Sequence, residues 1–452
     1  MDRPVTRGLI HRQESTDAVA VNTESVNTES INTEGVNTES VNAESVNTES
    51  INAESVNTES MDTESRNTKS MDTESMSTEG RDEERMHSES MKMNTENLQK
   101  KAMIAMSGGV DSSLAAQLVK EAGYECLGCT MRLYDNEDIG LSRGHTCCSL
   151  EDVEDARSVA YRIGIPYYVF NFKDDFHEKV ISRFISSYEH GITPNPCIDC
   201  NRYMKFEKLY DRAKLLGCEY LVTGHYARIE ERDGMYLLKK ALDETKDQSY
   251  VLYSMTQEQL AHTLFPLGGM RKKDVRVLAD QYGFVNADKP DSQDICFVPD
   301  GDYVAFLERH TGKKYRSGDF LDKDGHILGR HKGTVSYTIG QRKGLGIACG
   351  KPMYVKEIDV ESNTVTLAEN ADLYEDTLTA DEFHWISGLA PQGELLCKAR
   401  IRYHHKEQDA RVCSLTDDRV RIIFKEPQRA ITPGQAVVLY DGDIVLGGGR
   451  IL

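Results

Sequence analysis

From Lys100 onward the apolar positions follow two textures. "KKAMIAM" (Lys100 to Met106) is a short, nearly unbroken apolar run, the mark of a strand buried on both faces. "LAAQLVKEAG" follows, with Leu114, Leu118 and Val119 on one helical face and Gly123 placed to end it. "YECLGCTMRLY" reads as a second buried strand, "LEDVEDARSVAYRIG" as a helix, "PYYVFNF" as a strand and "KVISRFISSYEHG" as a helix. A loop with two cysteines leads to a helix, "FEKLYDRAKLLG", and a strand, "EYLVTGHYARI". Strands alternating with helices predict right-handed crossovers and a parallel sheet covered on both faces.

After about Thr311 the texture changes. Short alternating segments lie between Gly and Asp turns: "GTVSYTIGQRKG", "MYVKEIDVESNTVTLAE", "LLCKARIRYHHK", "ARVCSLTDDRVRIIFKE" and "QAVVLYDGDIVLGGGRIL". These predict hairpins and small barrels. The expected organisation is an α/β domain over 98–310, a small β-rich domain over 311–378 and a C-terminal β-barrel over 379–452. Residues 1–97 stand apart. They repeat five residues, as in "VNTESVNTESINTEG", and a period of five matches neither helix nor strand. One Val, Ile or Met per repeat cannot build a core, so this segment is expected to be disordered and of low complexity. A solenoid is the competing expectation, but stacking units mostly need about 20 residues or more.

Charge alters this picture little. The 452-residue chain carries a net −20. Its first hundred residues hold 9 Lys and Arg against 21 Asp and Glu, leaving the remainder at −8. A mildly acidic body argues against broad nucleic-acid binding but leaves room for a local basic face. Three basic clusters qualify: "RKK" (Arg271 to Lys273), "GQRKG" (Gly340 to Gly344) and "KARIRYHHK" (Lys398 to Lys406). Each also reads as ordinary solvated surface, the first most of all. No apolar stretch follows the N-terminus as an export signal would require, and no run approaches the ~20 apolar residues of a membrane span. All eleven cysteines lie after residue 125. With enough chain for an apolar core, they are expected to be reduced thiols of a cytoplasmic protein.

Two stretches carry chemistry. "SGGVDSS" (Ser107 to Ser113) sits at a strand-to-helix turn. Gly108 and Gly109 let the backbone approach a ligand, and the following helix offers N–H groups and its positive dipole end to phosphate. Ser107, Ser112 and Ser113 add hydroxyls, and Asp111 is a candidate magnesium ligand. The loop is neither a Walker loop nor G-x-G-x-x-G. The second stretch, "ITPNPCIDCNRYMKF", places Cys197 and Cys200 at C-x-x-C spacing, which serves zinc, redox disulfides, iron–sulfur clusters and sulfur transfer alike. Cys147 and Cys148 in "HTCCS" could complete a zinc knuckle. Cys126 and Cys129 have the same spacing on a predicted strand; positions three apart there face opposite sides, so they are expected in the core.

SGGVDSS resembles the pyrophosphate loop of N-type ATP pyrophosphatases (adenine nucleotide alpha-hydrolase-like), which cleave ATP between the α and β phosphates and adenylate a carbonyl oxygen. From about residue 101 to the end, "GGVDSS", "TPNPCIDCNRYMKF", "TGHYARI", "KDQSYVLY", "DSQDICF", "YTIGQRKGLGI" and "RYHHK" occur in an order similar to that of bacterial tRNA 2-thiouridylases. The resemblance implies a tRNA-uridine 2-sulfurtransferase acting on the wobble uridine of an anticodon loop, using ATP and magnesium and supplied by a cysteine desulfurase or sulfur-relay protein. It implies ATP contacts at Ala105, Met106, Ser107, Gly108, Gly109, Val110, Asp111, Ser112, Met131 and Gly224. It implies tRNA contacts at Asn195, His225, Asp247, Gln248, Ser249, Arg402, Tyr403 and Gln435. Cys296 becomes the persulfide carrier and Cys200 the nucleophile, joined in a transient disulfide. Cys197 departs from the family, where many members carry Asp. It is therefore either an acid–base group or, with Cys200 and Cys296, a third ligand to an iron–sulfur cluster. Another adenylating enzyme of the same fold, or a non-catalytic RNA-binding protein, stays as an alternative.

Overall fold

The structure, a computed structural model, describes residues 100–135, 150–289, 295–416 and 418–452. Cys147, Cys148 and the pentapeptide repeat lie outside them. The first part runs β1 (Lys101–Ala105), α1 (Val110–Glu121), β2 (Glu125–Arg132), α2 (Leu150–Ile163) and β3 (Tyr167–Asn171). The helix α3 follows through Lys173–Phe176, a π-wound turn His177–Ile181, and Ser182–Glu189. The next helix, α4, joins Pro196–Asp199, a π-wound Cys200–Leu209 and Tyr210–Leu215. Then come β4 (Tyr220–Val222), β5 (Ala227–Arg232), β6 (Met235–Lys240), α5 (Gln257–Ala261), β7 (Thr263–Leu264), α6 (Lys272–Gln281) and α7 (Tyr303–Thr311).

Five strands form a parallel sheet in the order β3-β2-β1-β4-β7. One face packs on α1, α2 and α6 through Leu114, Ala156, Val159 and Val275; the other packs on α3 and α4 through Phe176, Phe184, Met204 and Leu209. The chain leaves β1 in one direction for β2 and β3 and returns on its other side for β4 and β7. Ligands of such sheets bind at this switch point, beyond the carboxyl ends of the strands.

Two readings of the local pattern are corrected here. The cysteines lie on a helix, not in a loop: α4 begins at Pro196 rather than Phe206, because Asn195 caps it and Pro196 fills its first position. "EYLVTGHYARI" is two strands in different sheets. The chain departs from the parallel sheet after Val222 and re-enters pairing at Ala227, in a hairpin of β5 with β6.

The middle part holds β8 (Gly318–Leu321), β9 (Ile327–His331), β10 (Tyr354–Asp359) and β11 (Thr364–Ala368), ordered β10-β11-β8-β9 around Phe320, Val355, Val365 and Leu367. "GTVSYTIGQRKG" forms one short helical turn at Thr334–Ser336 instead of a hairpin, yet Val335 and Tyr337 are still buried. The last part is β12 (Tyr374–Trp385), β13 (Glu394–Arg400), β14 (Gln408–Ser414), β15 (Val420–Arg429), β16 (Ala436–Asp441) and β17 (Ile444–Ile451). They pair as β12-β15-β14-β13-β16-β17, and β17 returns to β12. This closed six-strand barrel leaves no free edge around its own core of Leu378, Val412, Ile422, Phe424 and Leu439. The β5–β6 hairpin reaches it through the Ile444–Lys239 pairing and an Arg228–Asp443 ion pair of 2.9 Å. No helix of the described residues is long and apolar enough to cross a membrane.

Candidate active site

The phosphate loop leaves β1 at its carboxyl end. Met106 and Val110 turn their side chains into the core and Ala105 is half-buried beside it, so the loop offers a ligand mainly its backbone at these positions. Gly108 adopts φ +74°, and a Cβ there would stand 2.4 Å from the Asp152 carbonyl oxygen at the start of α2. The loop is braced from within. The Ser112 hydroxyl accepts from Ser107 N (3.1 Å), and the Ser112 and Ser113 hydroxyls donate to the Gly109 carbonyl at 3.0 and 3.1 Å. Asn286, buried, donates to the Gly108 carbonyl (2.8 Å) and the Ser113 hydroxyl (2.9 Å). Nothing in the sequence pattern singled Asn286 out.

Asp111 is engaged already. The Lys272 ammonium donates to both of its carboxylate oxygens at 2.7 Å, and the Tyr226 hydroxyl donates to Oδ1 at 2.7 Å. Lys272 is 8 % exposed, so it departs from the solvated surface its charge suggests, while Arg271 and Lys273 on either side are exposed as expected. A carboxylate neutralised by an ammonium is a poor start for a magnesium site, and among the described residues no His, Cys, Asp or Glu groups with Asp111 to make one. Met131 lies half-buried near the carboxyl end of β2, beside Phe170 of β3.

The turn after β4 joins the two chemical stretches. Gly224 packs so closely on α1 that a Cβ would stand 2.8 Å from Ser112 N and 2.9 Å from the Asp111 carbonyl carbon. His225, next in the chain, is buried between Phe206 and Phe265. Its Nε2 accepts from Lys205 Nζ on α4 (3.2 Å), which leaves Nδ1–H to donate to the Thr223 hydroxyl (2.7 Å). Burial, then the Lys205 charge, holds His225 well below the usual histidine range. Its ring thus serves as a neutral strut between the phosphate loop's neighbour and the cysteine helix.

Cys197 and Cys200 lie in the first turns of α4, with Cys200 at the change from α to π winding, a geometry that recurs at functional sites. The Asn195 side chain accepts from Cys197 N (3.2 Å), so the expected tRNA contact is also the helix cap. Cys296 is half-buried, and its carbonyl accepts from the Tyr134 hydroxyl at 2.9 Å. Cys200 and Cys296 both pack at the margin of the same apolar cluster. Cys126 and Cys129 fall into different clusters on opposite sheet faces, and burial pushes the Cys126 thiol up to about 11. They are core residues.

The barrel comes to the cysteine helix. Gln435 Nε2 donates to the carbonyls of Thr193 (3.0 Å) and Pro194 (3.4 Å), immediately before the helix cap. Arg402 donates to the Ala430 carbonyl and to the Thr432 hydroxyl (2.9 Å), steadying the same barrel turn. Tyr403 lies against the Tyr250 ring; burial, with the charges of Asp247 and Cys197 nearby, pushes its phenol up to about 12. Asp247 and Ser249 point inward. The Asp247 carboxylate accepts from Ala241 N, Ser249 N and the Ser249 hydroxyl, and pairs with Arg400 at 3.3 Å. Gln248 accepts from Tyr226 N at 2.9 Å. The three expected tRNA contacts in "KDQSY" are therefore occupied in holding the hairpin and barrel beside the site.

An open cleft beside the cysteine helix is lined by Arg183, Asn195, Asp199, Arg202, Glu382 and Arg450. Burial pushes the Asp199 carboxyl up to about 6, against the pull of Arg183 3.4 Å away. A carboxyl raised from 3.8 binds its proton more tightly folded than unfolded. It therefore costs stability progressively as pH rises from about 4 to about 6, on the order of 2–3 kcal/mol in all. Asp199→Asn should match the wild type in stability near pH 4 and exceed it by about 1–2 kcal/mol at pH 7, since Arg183 loses one of its partners. Denaturation midpoints across that range test this; a gap that does not open with pH sinks the assignment.

A parallel sheet with a glycine–serine loop at its switch point defines a nucleotide-activating enzyme, here with a thiol-bearing helix beside the loop. Comparison with known proteins agrees. The chain matches the signatures of the tRNA methyl transferase HUP domain over residues 100–300, the tRNA methyl transferase PRC-barrel domain over 304–369 and the aminomethyltransferase beta-barrel domain over 375–451. It is 51 % identical over 356 residues to the tRNA-specific 2-thiouridylase MnmA of Clostridioides difficile, covering 78 % of this chain and 98 % of that one. The MnmA of Acetivibrio thermocellus is 52 % identical over 357 residues, covering 78 % and 99 %. MnmA 2 of Caldanaerobacter subterraneus is 53 % identical over 356 residues, covering 78 % and 97 %. The chain belongs to the tRNA-specific 2-thiouridylase MnmA family.

Proposed function

We propose that this chain is an ATP-dependent tRNA-uridine 2-sulfurtransferase acting on the wobble position. One observation carries the reading: the turn Thr223–Gly224–His225 touches the phosphate loop on one side and the cysteine helix, through Lys205, on the other. Such a turn supports activation by ATP and attack by sulfur at neighbouring positions. The C2 oxygen of the uridine bonds to the α-phosphorus, and pyrophosphate leaves with the bonding pair. The terminal sulfur of a persulfide on Cys296 then bonds to C2, and AMP departs with the oxygen. Cys200 attacks the Cys296 sulfur, which frees the transferred sulfur on the base and leaves a Cys200–Cys296 disulfide for an external thiol to reduce. Asn195, Gln435 and Tyr403 adjoin the Cys197 turn, and Arg402 holds the barrel turn that carries Gln435; together they supply cationic, stacking and amide groups suited to an unstacked anticodon base. A cysteine desulfurase or a relay protein supplies the sulfur, in a reducing compartment such as the cytoplasm.

Mass analysis of tRNA nucleosides after incubation with ATP and a persulfide source tests the reading; tRNA without 2-thiouridine under conditions of AMP release would favour another adenylating enzyme. The same assay resolves Cys197. If Cys197 stands in for an acid–base carboxylate, Cys197→Asp should keep or raise activity in iron-free protein. Near four irons and four sulfides per chain after anaerobic purification, with activity lost on chelation, would make it a cluster ligand instead.

A further inference from the structure

Three guanidinium groups converge on one carboxylate in the cleft beside the cysteine helix. Arg183 comes from α3, Arg202 from α4 and Arg450 from β17, while Glu382 comes from β12. Arg450 is fixed by two hydrogen bonds to the buried Asp381 carboxylate, at 3.0 and 2.9 Å, and stands 3.2 Å from Glu382. Arg183 and Arg202 are held differently. Both lie over the Tyr203 ring, 5.4 and 5.3 Å from its centre, and Arg183 Nε is 3.4 Å from Asp199. Their distances to Glu382 are 3.7 and 3.6 Å, too long for hydrogen bonds. Stacking thus orients two guanidinium planes whose N–H edges still have donors to give. Glu382 itself sits at φ +46°, at the bulge between Asp381 and His384. A glutamate rarely takes that conformation, and such residues cluster at ligand clamps and switches.

We propose that this cleft is an anion site for a backbone phosphate of the RNA substrate, next to the nucleotide whose base meets the cysteines, and that Glu382 fills it until RNA arrives. The inference rests on the reading of the chain as an enzyme acting on tRNA. Position chooses the ligand. Asn195 lines the cleft and caps the helix that bears Cys197, while Gly434 and Ala436 line it on either side of Gln435. The cleft therefore borders the cysteine turn where the barrel meets it. A nucleotide splayed toward the cysteines carries its backbone along that border, and phosphate contacts are what fix register and orientation. The chemistry agrees. Guanidinium forks match phosphate oxygens in pairs, and three of them from three elements surround one point. A phosphodiester carries the same charge as the Glu382 carboxylate, so it can take that place without leaving the arginines unpaired. Glu382 is half-buried and needs only to turn its side chain outward.

Fluorescence anisotropy tests this with full-length protein and an anticodon stem-loop bearing uridine at the wobble position, from about 50 to about 200 mM salt. Arg183→Gln combined with Arg202→Gln should weaken the stem-loop by about tenfold to a hundredfold, the scale for hydrogen bonds to a charged group. The slope of log affinity against log salt should fall by about one. Arg202→Lys alone should keep the slope, since the charge stays. Glu382→Gln removes the competing anion and should hold or raise stem-loop affinity. ATP affinity of all these proteins should stay within about twofold, because the phosphate loop shares no partner with the cleft. A purely structural ion cluster predicts otherwise: an unchanged salt slope in the double variant, and weaker RNA binding in Glu382→Gln. Either result overturns the proposal, and the second decides it even where the double variant fails to fold. Calorimetry with inorganic phosphate separates the sources of the anion. Phosphate binding lost in the double variant while stem-loop affinity is unchanged would give the cleft to a free anion and overturn the RNA site. A reduced slope in the double variant, where the wild type makes no 2-thiouridine, would sink the sulfurtransferase reading and keep the cleft. Thiolation by the wild type with an unchanged slope in the double variant would do the reverse.

Discussion

Cys200→Ser and Cys296→Ser should each reduce 2-thiouridine formation by about two orders of magnitude or more, while Cys126→Ser stays close to wild type. A hydroxyl cannot carry a sulfane sulfur or close a disulfide, so either serine removes a covalent step rather than a contact, and losses from such unit-acting groups are large. Cys126 is a different case. It is 6 % exposed, packed on the α1–α2 face of the sheet, with a thiol raised by burial. The measurement is nucleoside mass analysis after one turnover and at steady state. Substantial thiolation by either of the first two variants would remove the persulfide pathway. ATP-dependent pyrophosphate release by the same proteins shows that the loss lies in the sulfur step, since pyrophosphate leaves before sulfur attacks.

Gly224→Ala should be nearly as damaging, for a reason with no thiol in it. The new methyl would press on Ser112 N and the Asp111 backbone at under 3 Å, and backbone atoms at the start of a helix cannot swing aside as a side chain can. Ser112 is the third helical residue after the Gly109 cap, so its N–H is one of those a helix leaves to an outside acceptor. The methyl covers that donor and tilts the α1 start away from the phosphates. ATP affinity and AMP release should fall together by about tenfold or more, the scale of one lost charge-assisted hydrogen bond. Binding of tRNA alone should change little. A variant with unaltered ATP affinity would mean that the turn after β4 does not bound the nucleotide.

Much of this was legible from local pattern. The apolar runs at Met103 and Leu127, the helical face of Leu114 and Val119, and the placing of Cys126 and Cys129 on opposite sides of a strand all follow from periods of two and 3.6. The phosphate loop needed only its glycines and its position between strand and helix. The start of α4 was within reach too, since Asn195–Pro196 is a cap followed by a first-turn proline. The C-x-x-C spacing masks that signal, because it suits loops and helix starts alike. "EYLVTGHYARI" offered no such signal: its apolar spacing runs through Gly224, and the departure from the sheet is set by what Gly224 packs against.

Charge and long-range pairing were decided elsewhere. "RKK" has no period that tells a buried lysine from a solvated one, and Lys272 finds Asp111 across 161 residues because β7 lies beside β4 and β4 beside β1. Gln435 meets the Thr193 carbonyl across 242 residues because the barrel closes and presents its 430–435 turn to the cysteine helix. Asp247 and Ser249 turn inward because Arg400 and Tyr440 of the barrel are there to receive them. By itself the sequence determined most of the strands and helices, though not the start of α4, the break within "EYLVTGHYARI" or the turn at Thr334–Ser336, and it determined which loop suits phosphate and that Cys126 and Cys129 sit in the core, since each depends on neighbours a few residues away. Only the tertiary structure decided the order of strands in the sheet, and with it which distant charges share the carboxyl edge, because that order comes from packing whole layers together.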